Sequence, residues 1–287
     1  MRVELAARRQ NVLGEGPLWD PSAGRVYWVD IRSKRIEWIE PKSGAGGAYD
    51  LTVRPSALAL RRSGGLLVAA DHCVGTLDLS SGAFEPRVTF ECDKPRNRTN
   101  DGRMGADGRF WFGTMDDDAE AGQGALYALS VDWRLSVKRE GVGIPNGIVS
   151  TPDGSCVYVA DSLDQVIWSH SLRRGGLSAP SLFFSAKGEV FTPDGAALDE
   201  QGFLWSVQWD GACILRLSPE GAVEQKIDMP VSRPTACVFG GSALTTLYVT
   251  SARDGLSAEQ LDREPLAGSV FSIEVDAAGV RYPPFAA

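Results

Sequence analysis

GADGRFWFGTMD, residues 105–116, sets a polar, glycine-marked turn before a short apolar run that closes on an aspartate. Five other stretches have the same form: LWDPSAGRVYWVD (18–30), LRRSGGLLVAAD (60–71), STPDGSCVYVAD (150–161), LDEQGFLWSVQWD (198–210) and FGGSALTTLYVTSARD (239–254). Their closing aspartates, Asp30, Asp71, Asp116, Asp161, Asp210 and Asp254, are separated by 41, 45, 45, 49 and 44 residues. A period of that length, with several short strands per copy, is the signature of a β-propeller blade. The expected fold is therefore all-β, a six-bladed β-propeller forming one domain over residues 1–287.

Two further columns flank the first. After each apolar run comes a partly alternating stretch: KRIEWIEPKSGA, CVGTLDLSSGA, GALYALSVDW, QVIWSHSLRRGG, ACILRLSPEGA and GSVFSIEVDAAG. This suits the third strand of a blade. Before each turn lies a small, tight segment: GEGPLW, RPSALAL, NDGRMGA, PNGIVS, PDGAAL and RPTACVF. Small residues suit the innermost strand, where backbones crowd an axis. Met1 to Ala6 alternates like a strand but has no blade of its own, so it is expected to pair with the C-terminal strands and cover an exposed edge. GLSAEQLDREPL (255–266) is the one helical stretch.

Composition narrows the function. The 29 Lys and Arg against 37 Asp and Glu give a net charge of −8, which opposes a nucleic-acid surface. No apolar run is long enough to span a membrane, and MRVELAARRQ has no signal-peptide h-region. The five cysteines at 73, 92, 156, 213 and 237 are scattered, without a CxxC pair. Free thiols in a cytoplasmic, reducing location are expected. Two histidines, His72 and His170, are too few for a Ser-His-Asp triad or a histidine-rich zinc site. Trp19, Trp28, Trp111, Trp205 and Trp209 fall on or near blade strands and read mainly as inter-blade packing, with Trp209 a candidate to stack on a ring at the mouth.

The inner column carries the chemistry. Asn100, Asn146 and Asp194 each lie eight residues before the turn glycine of their blade, and Glu15 lies nine before Gly24 in a turn one residue longer. Ser56 and Thr235 occupy the corresponding places in the second and sixth copies. Taken singly, these are ordinary turn residues. In one repeat register, two carboxylates and two amides would point at one spot, an oxygen-rich site for a hard divalent cation.

GEGPLW, RTNDGR followed by DGRFWFGTMD, IPNGI with DSLDQ, TPDGAALDEQGFLW, RPTACVFGG and LYVTSAR together resemble the senescence-marker-protein/regucalcin/gluconolactonase family, in order and over almost the whole chain. The resemblance implies a six-bladed propeller that holds one catalytic divalent metal and hydrolyses the ester of a small sugar (aldono-) lactone. It makes Glu15, Asn146 and Asp194 direct metal ligands and Asn100 a fourth, sometimes water-mediated contact. Arg98 falls where the family reaches substrate oxygens. Asp118 falls where some members have a glutamate that binds substrate hydroxyls, here with a shorter side chain inside a DDD run. Ca²⁺ is the foremost cation, with Zn²⁺, Mn²⁺, Mg²⁺ and Fe²⁺ as alternatives.

The chemistry is coherent without the family. Lactone hydrolysis needs a polarised carbonyl and a deprotonated water, and a cation with open positions can assist both. Asp194, ionised beside it, is the candidate general base, with direct nucleophilic attack by Asp194 as the lesser alternative. Arg98 and Asp118 would orient the polyol. Two other readings stay open: a phosphotriester hydrolase on the same site, and a calcium-binding or interaction propeller without turnover.

Overall fold

The computed structural model describes residues 1–173 and 176–287. Arg174 and Gly175, at the end of the QVIWSHSLRRGG stretch, lie outside the described residues. Among the described residues the strands form six antiparallel sheets in chain order, which makes the fold a six-bladed β-propeller. By internal contacts the chain forms two compact units. One comprises Met1–Arg54 and Gly188–Val280, the other Pro55–Lys187 and Arg281–Ala287.

The first unit carries blades 1, 5 and 6. Blade 1 is Gly14–Asp20, Arg25–Asp30, Arg35–Glu40 and Ala45–Asp50. Blade 5 is Thr192–Leu198, Leu204–Trp209, Cys213–Leu217 and Val223–Asp228. Blade 6 takes Pro234–Gly240, Thr246–Ser251 and Val270–Glu274 from the C-terminal part and is completed by Val3–Ala7 from the N-terminus. Val3 faces Ile273 and Ala7 faces Val270, so the leftover N-terminal segment pairs as expected. Trp205 packs edge-on to Phe239 at 5.7 Å and anchors blade 5 against blade 6. The helical stretch is a single helix, Ala258–Arg263, with a Ser257/Gln260 capping box.

The second unit carries blades 2, 3 and 4. Blade 2 is Pro55–Leu60, Leu66–Ala70, Cys73–Leu77 and Phe84–Thr89; blade 3 is Asn97–Met104, Phe110–Asp116, Gly124–Leu129 and Leu135–Val142. Blade 4 is Pro145–Ser150, Cys156–Asp161, Val166–Arg173 and Ser181–Ser185, with Gly176–Leu177 also pairing on the third strand. Phe90 of blade 2 packs on Phe112 and Tyr127 of blade 3, with centroids 5.1 and 5.4 Å apart. Such pairs add about 0.5–1.5 kcal/mol each beyond buried area. The chain ends as a tail on this unit: Phe285 is fully buried, bridges to Arg61, and lies edge-on to Trp133.

Within each unit the first strands of successive blades run side by side. Their approach is close: a Cβ on Gly195 would sit 2.4 Å from Ala236 Cβ, and one on Gly102 would sit 3.1 Å from Ala57 Cβ. This is why the inner column reads as glycine and alanine. All five cysteines are free; Cys73, Cys213 and Cys237 are buried and Cys92 is exposed. Among the described residues no helix is long and apolar enough to cross a membrane.

His170 is buried in the third strand of blade 4, with Nδ1 3.0 Å from the Ser178 carbonyl and Nε2 3.4 Å from Arg139 Nη1. Burial depresses its pKa below the ordinary 6.5; the Ser178 carbonyl opposes this and the Arg139 charge reinforces it. A depressed histidine pKa gives stability that is complete above the unfolded pKa and is lost as pH falls through the folded one. Melting temperature is therefore expected to drop as pH is lowered below about 6.5. A His170→Gln variant should lack that part of the slope; parallel curves for the two proteins would contradict the assignment.

Candidate metal and substrate site

Every inner strand breaks its pairing within one residue of the same place in the repeat. The register shifts between Glu15 and Leu18 in blade 1, Pro55 and Ala57 in blade 2, and Thr99 and Gly102 in blade 3. It shifts between Asn146 and Val149 in blade 4, Pro193 and Ala196 in blade 5, and Pro234 and Cys237 in blade 6. Glu15, Ser56, Asn100, Asn146, Asp194 and Thr235 each lie at or inside this irregularity. A bulge re-aims one side chain out of the pleat, and the column of polar residues is the column of bulges. Gly16 and Gly147, next to Glu15 and Asn146, take φ of +51° and +52°, which a Cβ would disfavour.

In the first unit Glu15 and Asp194 are both buried, at 8% and 5% exposure. The Gly16 N–H donates to Glu15 Oε2 at 3.1 Å. Thr235 is used structurally: its hydroxyl donates to the Gly14 carbonyl at 2.6 Å and lies 2.8 Å from the Thr250 hydroxyl, tying blade 6 to the strand that carries Glu15.

In the second unit Asn100 and Asn146 meet. Asn100 Nδ2 donates to Asn146 Oδ1 at 2.8 Å and to the Pro145 carbonyl at 3.2 Å. Arg98 Nη1 donates to Asn100 Oδ1 at 2.9 Å, and Arg98 Nε donates to Asp117 Oδ1 at 2.9 Å. Asn146 Nδ2 donates to Ser162 Oγ at 2.9 Å. Ser56 is buried, with its hydroxyl 3.4 Å from the Ala69 carbonyl. Asp101 accepts from Gly102 N at 2.7 Å and Ile148 N at 3.3 Å, so it joins the bulges of blades 3 and 4. Burial pushes the Asp101 carboxyl above the usual carboxylate range, against the pull of Arg103 and of those backbone donors.

Of the remaining candidates, Asp118 belongs to the second unit and Trp209 to the first. Asp118 is 77% exposed and lies 3.6 Å from Arg96. Its neighbour Asp117 is the carboxylate on Arg98, and the DDD run gave no means of choosing between them. Trp209 carries the Arg233 guanidinium 4.8 Å from its ring centre, with Arg233 Nε held 2.6 Å from Asp210. The closing aspartates are not one set. Asp30 accepts from Val12 N and Leu13 N, and Asp161 accepts from Gly143 N and Ile144 N; each anchors the segment entering its own inner strand. Asp71 and Asp210 sit in turns with positive φ, and Asp254 pairs with Arg32 at 3.1 Å. Ser162 was missed because a serine after Asp161 looks like one more turn residue.

Among the described residues no three His, Cys, Asp or Glu side chains cluster as metal ligands. The candidate donors are instead two carboxylates, Glu15 and Asp194, and two carboxamides, Asn100 and Asn146; each of these side chains carries an oxygen of the kind a hard cation takes.

A model of the SMP-30/gluconolactonase/LRE-like region matches residues 13–253. The 6-deoxy-6-sulfogluconolactonase of Pseudomonas putida is 34% identical over 286 residues, covering 99% of this chain and 98% of its own. Regucalcin of Homo sapiens is 32% identical over 281 residues, covering 95% and 94%. The crystal structure of the calcium-binding protein regucalcin from Agrobacterium tumefaciens superposes with a TM-score of 0.95 at 28% identity, covering 100% of this chain and 97% of that one. With the family model matching most of its length, this chain belongs to the SMP-30/gluconolactonase/LRE-like family.

Proposed function

We propose that this protein hydrolyses the ring ester of a sugar lactone to the aldonic acid, using a divalent cation held by Glu15, Asn146 and Asp194 with Asn100 as the fourth contact. The observation that carries this reading is the shared register: all four residues stand at the bulge of their own inner strand. Nothing in turn chemistry requires buried carboxylates and paired amides at that one place. The similarity to the 6-deoxy-6-sulfogluconolactonase of Pseudomonas putida supports a sugar lactone as the substrate class.

When bound, the cation would supply Lewis-acid polarisation of the lactone carbonyl and acidify water. Asp194 is assigned as general base: a carboxylate oxygen takes one proton of the attacking water while its oxygen bonds to the carbonyl carbon. As the bond from that carbon to the ring oxygen opens, the same proton passes to the ring oxygen, leaving a hydroxyl and a carboxylic acid. Arg98 and Asp118 are assigned to the sugar hydroxyls, the exposure of Asp118 being in keeping with a part that substrate must reach.

The test follows proton release from a panel of pentono- and hexonolactones after chelation, with Ca²⁺, Mg²⁺, Mn²⁺, Fe²⁺ and Zn²⁺ restored singly and spontaneous hydrolysis subtracted. Turnover is expected to vanish on chelation and to return with at least one cation. Folded protein that binds the cation yet shows no rate above background would overturn the lactonase reading and leave a binding propeller.

A further inference from the structure

The second unit contains a directed chain of hydrogen bonds running through both candidate carboxamides. Asp117 accepts from Arg98, Arg98 donates to Asn100, Asn100 donates to Asn146, and Asn146 donates to Ser162. Each link is 2.8–2.9 Å long. The direction matters because a carboxamide has two ends of nearly the same shape and opposite polarity. Turning Asn100 over would set its N–H groups against Arg98 Nη1 and its oxygen against Asn146 Oδ1. Turning Asn146 over would set its N–H groups against those of Asn100. Only one orientation satisfies all five residues.

Blade 1 provides an internal comparison. Asp30 and Asp161 hold the same two backbone N–H groups of their blades, and the residue after each donates its own N–H to the segment entering the inner strand. Ile31 N donates to the Leu13 carbonyl and Ser162 N to the Ile144 carbonyl, each at 3.0 Å. The position is thus the same, but blade 1 fills it with a fully buried isoleucine. Glu15 has no side-chain N–H to satisfy. Asn146 has two, and the hydroxyl stands where one of them needs an acceptor.

We propose that Ser162 at one end, and Asp117 acting through Arg98 at the other, are positioning residues of the cation site: they hold the Asn146 carboxamide with Oδ1, not Nδ2, as the end offered to the cation. This rests on the cation reading above and assigns a function to two residues outside its donor set. Partners that orient metal-binding side chains typically account for about 10–100-fold in metal affinity.

The experiment is Mn²⁺ affinity of the metal-stripped full chain by titration calorimetry, on wild type, Asn146→Ala, Ser162→Ala, Ser162→Thr and Asp117→Asn, with metal-free melting temperatures alongside. Ser162→Ala and Asp117→Asn are expected to weaken binding about 10–100-fold. Ser162→Thr, which keeps the hydroxyl, should bind as wild type does. At saturating Mn²⁺ the lactone kcat of Ser162→Ala should return toward wild type, a recovery that general destabilisation would not produce. If wild type binds no cation, or Asn146→Ala binds as tightly, the cation reading itself fails. If Asn146→Ala loses binding while Ser162→Ala and Asp117→Asn keep it, or merely melt lower at unchanged affinity, the positioning proposal is overturned. Should Ser162→Ala not fold, Asp117→Asn alone decides.

Discussion

Asp194→Asn is expected to lower kcat/KM for the preferred lactone by about a thousandfold or more, with the fold intact. The substitution is isosteric, so the close approach of Gly195 to Ala236 is undisturbed. Asp194 lies inside the irregularity between Pro193 and Ala196, and the residue is 5% exposed. Removing a general base costs about 10²–10⁴ in rate. Here the same change also removes one of the two negative charges proposed to hold the cation, so the losses compound. The measurement is initial rate against lactone concentration at several cation concentrations, with melting curves for both proteins. Loss that raising the cation fully repairs would make Asp194 a ligand only. Activity within about tenfold of wild type under all conditions would remove it from the mechanism, since a general base contributes more than that.

The residues that carry this prediction were readable in the chain because the repeat aligned them. Their common place in the pleat was not. Eight residues before a glycine is a count, and what re-aims the side chain is a bulge, which needs the pairing partner to be seen. The inner strands and the turns were legible because they are buried or glycine-marked. The outer strands were not: Ala45–Asp50, Phe84–Thr89 and Val223–Asp228 are largely exposed, so no apolar pattern announces them. The tail around Phe285 escaped for a different reason, since its partner Arg61 lies more than two hundred residues away in the chain. Asp117 and Ser162 were illegible in a third sense. Their roles depend on which neighbour each polar group faces, and a run of three aspartates or an ordinary Asp-Ser turn contains no such direction.

The N-terminal strand was legible, and it supports the second large prediction. Deleting Met1–Ala7 should destabilise the protein by roughly 2–6 kcal/mol, from the backbone bonds across four register pairs at about 0.5–1.5 kcal/mol each. Side chains contribute less, since only Ala7 of this strand is buried. The deletion also leaves Val270–Glu274 as an unpaired edge of blade 6, a template for association with another chain. The effect should reach the site, because Thr235 of the same sheet holds the Gly14 carbonyl beside Glu15. Cation affinity should therefore fall together with melting temperature, and the truncated chain should form larger species on gel filtration. Adding Met1–Ala7 back as a synthetic peptide should restore both properties, as a missing strand would. A truncated protein that melts, binds and elutes like the full chain would show that blade 6 is stable with three strands and that the N-terminal strand does no more than cover it.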